Sequence, residues 1–155
     1  MKLKSSCYAW LVAAVVLTAC HGRRTYHHYQ TVDAERWAMT DTLRFVPEHI
    51  EYEGLYVIGA GARVNDRYPY RNLWLVVEKR TLAEPRTAHR DTLNLILADS
   101  EGAWLTQGVV LHEAEETVDT TRLKADEEYE FLVYHIMNEQ ELKGVTDVGI
   151  TLLPN

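Results

Sequence analysis

The thiol of Cys20 is the side chain with the most definite chemistry in this sequence. It ends the run Leu17-Thr18-Ala19-Cys20, in which small residues lead to a cysteine at the close of an apolar stretch. A thioether to diacylglycerol can form only on a thiol, so cysteine must be the first residue after the cut. Small Ala19 and Thr18 let a peptidase approach the backbone. The pattern is that of a bacterial lipobox, and it predicts cleavage after Ala19 and acylation of Cys20. The elements that would present this bond agree. Lys2 and Lys4 give a cationic start and residues 8–19 an apolar run, the layout of a secretory signal. The run is too short to span a bilayer as a helix, which takes about 20 residues. Each buried acyl methylene contributes about 0.8 kcal/mol, and two or more chains hold a protein stably. Membrane lipid, through Cys20, is therefore the first expected partner.

His21, Gly22, Arg23 and Arg24 follow, with no acidic residue among them. By analogy with lipoprotein sorting, this argues against inner-membrane retention and against a surface-export tag. The expected address is the periplasmic face of the outer membrane, where Arg23 and Arg24 can meet anionic head groups.

The expected division is a cleaved signal over residues 1–19 and one domain over 20–155, with a short tether at its start. That length is enough for a sizeable core. The formal net charge of the whole chain is −7. Loss of Lys2 and Lys4 makes the processed chain more acidic still, which disfavours a nucleic-acid partner. Cys7 leaves with the signal and Cys20 is consumed by lipid, so no disulfide is expected and stability must come from packing.

Short alternating segments separated by turn residues predict strands over 26–32, 42–46, 54–64, 73–78, 91–98, 108–113, 128–137 and 147–153. In 91–98, Leu93, Leu95 and Leu97 share one face. Asn65-Asp66, Glu84-Pro85 and Asp99-Ser100-Glu101-Gly102 mark turns. Residues 33–39 and 139–142 are expected to form a turn or two of helix. The fold class is all-β, an antiparallel β-sandwich of jelly-roll type.

Candidate chemistry beyond Cys20 is thin. Val57-Ile58-Gly59-Ala60-Gly61-Ala62 has the first glycines of a dinucleotide fingerprint, but Val64 takes the third position and no βαβ unit surrounds it. A strand with glycines at a bulge or a close approach is the expected reading. His27 and His28 point to opposite faces, and His49, His89, His112 and His135 show no ligand spacing. Asp99, Ser100 and Glu101 lack the remaining ligands of a calcium loop. Glu113, Glu115, Glu116, Asp119 and Asp126 to Glu128 read as a solvated acidic face. No nucleophile elbow is present. The expectation is no cofactor, no metal and no catalytic residue. Tyr68, Tyr70, Trp74 and Trp104 lie near turns or strand ends and form the candidate interaction surface, able to anchor a protein partner or to stack on sugar rings.

Several blocks together resemble the gliding motility lipoprotein GldH family of the Bacteroidetes. They are Tyr26-x-x-Tyr29, Trp37, Asp41, Phe45 and Ile50; Arg67-Tyr68-Pro69-Tyr70-Arg71-Asn72-Leu73-Trp74-Leu75; the stretch from Leu97 to Trp104; and the closing run from Ile136 to Ile150. The resemblance implies a periplasm-facing lipoprotein associated with gliding and its linked secretion machinery. It implies other envelope proteins as partners and supplies no catalytic residues. The expected function is a lipid-anchored, noncatalytic accessory lipoprotein. The alternative is a glycan-binding β-sandwich module on the outer membrane.

Overall fold

A computed structural model of the chain describes residues 26–50, 52–106 and 110–155. Cys20, the leader and His21 to Arg24 lie outside the described residues, as does Gly108. The described chain forms β1 (Tyr26–Thr31), β2 (Trp37–Ala38), β3 (Leu43–Phe45), β4 (Gly54–Asn65), β5 (Asn72–Thr81), β6 (Ala88–Ile96), β7 (Leu111–Leu123), β8 (Tyr129–His135), β9 (Glu141–Leu142) and β10 (Val145–Pro154). One four-stranded sheet runs β1-β10-β4-β7, a second runs β3-β8-β5-β6, and β2 and β9 pair as a small ribbon. Every pairing is antiparallel. With the ribbon set aside, the order is first-eighth-third-sixth facing second-seventh-fourth-fifth, the double Greek key of a jelly roll.

Period-two patterning places the core between the sheets. Tyr56, Ile58, Ala60, Ala62 and Val64 of β4 and Val148, Ile150 and Leu152 of β10 face Leu73, Leu75 and Val77 of β5, Leu93 and Leu95 of β6, and Phe131 and Val133 of β8. All belong to one buried cluster. Each large side chain of this set contributes about 1.5–3 kcal/mol by leaving water.

The pairing also sorts the connections to two ends. Tyr26 pairs with Leu152, Pro154 with Tyr56, and Gly54 with Leu123. The described chain therefore enters and finishes at one end, the root end, beside segments 46–50, 82–87 and 124–128. Segments 32–42, 66–71, 97–106 and 136–144 gather at the opposite, far end.

Two expectations change. Residues 33–39 and 139–142 form no helix; they supply β2 and β9, where Trp37 pairs with Leu142. Burying those two side chains decides the conformation of segments too short to hold a helix alone. The strand expected at 108–113 continues as β7 to Leu123. As an edge strand it exposes most of both faces, so its Glu, Asp and Thr residues carry no alternating apolar signal.

The glycines of β4 serve a close approach. Tyr29, Gly149, Gly61 and Glu115 lie in one row across the first sheet. The Tyr29 ring lies flat on the outer face of that row, against Gly149 and Gly61. A Cβ on either glycine would overlap it, and one on Gly61 would also stand 2.9 Å from the Ala114 carbonyl oxygen. The Arg63 guanidinium sits 4.3 Å from the ring centroid and donates from Nε to Glu113 at 2.6 Å. Burial, and then the charges of Glu113 and Glu115, push the Tyr29 hydroxyl far above its ordinary pKa. Opposite Ile58 and Gly59 the register shifts by one residue and leaves Val118 of β7 unpaired, a β-bulge on that strand. Gly149→Ala should lower stability by about 1–3 kcal/mol through overpacking. In Tyr29→Ala the same change should cost much less, so denaturant titration of the double-mutant cycle should show strong coupling. Simple additivity would contradict this packing.

Candidate interaction site at the far end of the sandwich

The far end is built around aromatic residues held by backbone contacts. Trp37 is 1% exposed; its indole N–H donates to the Asp41 carbonyl at 3.2 Å. Its ring meets the His135 imidazole edge-on at 4.9 Å. His135, fully buried, donates from Nε2 to the Trp37 carbonyl at 3.1 Å, while its Nδ1 has no partner. Burial pulls its pKa below the ordinary histidine value, so the ring is held neutral.

Loop 66–71 is anchored by Tyr68. Its ring is 4% exposed, and its hydroxyl donates to the Asn72 carbonyl at 2.9 Å. Gly144 has φ +84° and packs against the Tyr68 backbone so closely that a Cβ would collide with it. Left-handed backbone and contact together require glycine there. Tyr70 stands edge-on to Tyr68 at 5.7 Å and donates to Glu139, a bond that raises its pKa. Loop 97–106 turns at Asp99, whose carboxylate accepts from the amides of Glu101 at 2.8 Å and Ala103 at 2.9 Å. Those amides hold its pKa below the usual range. Trp104 pairs with Ala98 and stacks on His112 at 4.1 Å and 11°. His112 Nε2 lies 3.1 Å from Asp66, which ties this loop to the β4–β5 turn.

The four aromatic candidates thus separate by role. Tyr68 is core. Tyr70 and Trp104 are half-buried and lock the loops. Trp74 is 40% exposed, on the outer face of the second sheet. Its neighbours Ile96 and Ile136 are 46% and 43% exposed, and the Ile136 amide donates to the Trp74 carbonyl at 3.0 Å. Met39, Leu105, Val110 and Leu111 are also exposed at this end. These aliphatic residues were not singled out in the sequence. Ile96 and Ile136 sit in alternating strands, and only the second sheet's register shows which face is outward.

Ion pairs and side-chain hydrogen bonds cross both outer faces. On the second sheet, Glu78 receives Arg80 at 2.6 Å and Arg90 at 2.9 Å, and Glu130 receives Arg44 at 2.5 Å. The two arginine hydrogen bonds hold the Glu78 carboxyl below its usual pKa. On the first, Thr31 donates to Asp147 at 2.9 Å. Asp147 therefore bonds across the sheet and does not cap the turn before β10.

One cluster joins residues distant in sequence. Ligand atoms of His89, Asp91 and Asp119 lie within 4.8 Å of one another, because the edges of β6 and β7 meet. The Lys79 ammonium stands 3.9 Å from Asp119 and donates to Thr121 at 2.8 Å. Burial pulls the Lys79 pKa down while Asp119 and Asp91 oppose it. The carboxylates thus already serve a cation built into the fold.

Fold and surface together define an all-β, jelly-roll domain whose exposed apolar side chains, among the described residues, collect at its ends. The family model for the GldH lipoprotein matches residues 24–152, and the chain belongs to that family. It is 24% identical to the gliding motility lipoprotein GldH homolog of Christiangramia forsetii, over 98% of this chain and 97% of that protein. It is equally 24% identical to the gliding motility lipoprotein GldH of Flavobacterium johnsoniae, over 98% of each. Among solved structures, the Eiger TNF of S. frugiperda aligns over 86% of this chain and 95% of its own, at 9% identity and a TM-score of 0.36, a likeness too loose to bear on function.

The neutral state of His135 gives a pH dependence. Its folded pKa is depressed, so the unfolded chain binds the extra proton first. Stability is full above about pH 6.5, the unfolded value, and falls as pH drops through the folded value. Melts at descending pH should show this loss before the carboxylates titrate. In His135→Gln that segment of the profile should flatten; an unchanged profile would contradict the assignment.

Proposed function

We propose that this protein is a lipid-anchored, noncatalytic accessory lipoprotein of the bacterial envelope, serving the gliding machinery and its associated secretion. It is held at the periplasmic face of the outer membrane by acylated Cys20, and its far end docks an envelope protein. The observation that carries the docking role is the patch of Trp74, Ile96 and Ile136 on the open face of a rigid sheet. An exposed aromatic flanked by aliphatic residues is the usual centre of an interface, and a cluster of this kind is uncommon on a surface with no partner. The names of the family and its relatives support the envelope setting, and none of those names is an enzyme's.

The glycan-binding reading is the weaker one. Tyr68 is core and Trp104 gives one ring face to His112, which leaves Trp74 alone. A sugar site needs a stacking ring together with convergent polar groups.

Crosslinking in intact cells, followed by pull-down from membranes, should recover an envelope protein. The double substitution Trp74→Asp with Ile136→Asp should abolish that crosslink while leaving the melting temperature within a few degrees of the parent. Recovery of the chain only as a monomer, or a crosslink indifferent to both changes, would refute the docking role.

A further inference from the structure

The apolar residues exposed at the root end have no part in the far-end site. Val46 is 39% exposed, Tyr52 58%, Leu55 44% and Leu153 42%. Topology brings them to one rim. The Tyr56 hydroxyl donates to the Tyr52 carbonyl at 2.9 Å, and the Asn155 amide to the Leu55 carbonyl at 2.9 Å. Beside them a cleft of about 610 Å³ opens between β1 and β3, lined in part by Tyr26, His28, Phe45, Val46, Tyr52 and Tyr56. Tyrosines with an apolar body and a polar tip suit the level of lipid head groups.

Chain length selects the occupant. From Cys20 to Tyr26 the backbone reaches about 20 Å when fully extended. The 12-residue β4 is about 40 Å long at the usual strand rise. An acylated Cys20 therefore holds the root end close to the bilayer, where this rim is the surface that meets it. The basic side chains Arg122 and Lys124 stand beside carboxylates, 3.8 Å from Glu53 and 4.0 Å from Glu127, and His49 lies 3.8 Å from Asp126. Arg122 and Lys124 can meet the phosphate of a head group, and the flanking carboxylates the ammonium of a zwitterionic one.

We infer that the root end is a membrane seat. Val46, Tyr52, Leu55 and Leu153 enter the head-group layer, and the sandwich stands end-on with loops 66–71 and 97–106 directed away from the lipid. This rests on the lipid anchor proposed above and adds an orientation to it. The seat limits the swing that the tether alone would allow, so the far-end patch is presented at a fixed height above the bilayer.

Cys20 is the only cysteine left after residues 1–19 are removed, and acylation blocks its thiol, so one introduced cysteine can be labelled cleanly. The full lipidated protein carrying Tyr52→Cys, Leu153→Cys or, at the far end, Ile96→Cys is labelled with an environment-sensitive dye. Each is reconstituted in phosphatidylethanolamine–phosphatidylglycerol vesicles containing a lipid-borne quencher. The seat requires a blue shift and quenching at positions 52 and 153 and neither at 96. Protein that floats with the vesicles but is unquenched at 52 and 153, or equally quenched at 96, overturns the seat and leaves the anchor standing. Protein that does not float overturns the anchor, and the seat falls with it. The triple variant Tyr52→Asp, Leu55→Asp, Leu153→Asp, labelled at Val46→Cys, should still float yet lose the quenching at that position; retained quenching would also count against the seat.

Discussion

The organisation of this molecule depends on one constraint, an even number of antiparallel crossings of the sandwich. Eight sandwich strands return the described chain to the end where it entered, so Tyr26 and Asn155 lie at the same end and the loops divide between two ends. Hydrogen-bond register enforces that division. Tyr26 opposite Leu152 and Leu152 opposite Ile58 tie both termini to the β4 ladder. A one-residue slip would turn Val148, Ile150 and Leu152 out of the core. The separation of the root end from the far end is thus set by the same apolar faces that make the domain fold.

Within this frame, small residues do a specific job. Ala60 and Ala62 on the inner side of β4 are fully buried and leave room for the large side chains of the facing sheet. Gly61 and Gly149 on the outer side let Tyr29 lie on bare backbone. The ring covers peptide groups that would otherwise face water, and Arg63 closes over it. β1 is an edge strand with few contacts beyond its ladder with β10, so this ring is a main reason that the first strand stays on the sheet.

The strand-built class was legible because six of the eight sandwich strands carry clear alternation or apolar runs. Leu93, Leu95 and Leu97 are buried as their spacing required, while Ile96 on the opposite face is exposed. Residues 33–39 and 139–142 were not legible, because what decides them is the meeting of Trp37 and Leu142 across about a hundred residues of sequence, which no local pattern records. Residues 114–123 of β7 failed for a related reason, since an exposed edge strand has no apolar face to repeat. Aromatic residues near turns were recognised as important, yet their roles divide by burial. Tyr68 became core because Gly144 admits its backbone, and Trp104 gave a ring face to His112. The glycines of β4 were readable as a close approach, though Tyr29 as the group that approaches was not. The trio His89, Asp91 and Asp119 appears only when two sheet edges meet.

The edges of the sheets explain why the ends are left to do the work. A partner that adds a strand needs a flat, unobstructed edge. On β7 the bulge opposite Ile58 and Gly59 breaks the repeat, and Glu113, Glu115 and Glu116 crowd that segment with like charge. Lys79, from the next sheet, reaches Thr121 and Asp119 in the half of β7 nearer the root end. On the other side, β3 is only three residues long, and Gln30 of β1 donates from its side-chain amide to the Arg44 carbonyl at 2.6 Å, occupying a group that an added strand would use. On the second sheet Arg44, Arg80 and Arg90 hold the buried carboxylates of Glu78 and Glu130, and a flat surface docking there would have to strip those partners away, at a cost of several kcal/mol for each buried charge left alone. Apolar side chains that are already exposed carry no such penalty. They lie at the two ends, so contact there is favoured on physical grounds before any partner is specified.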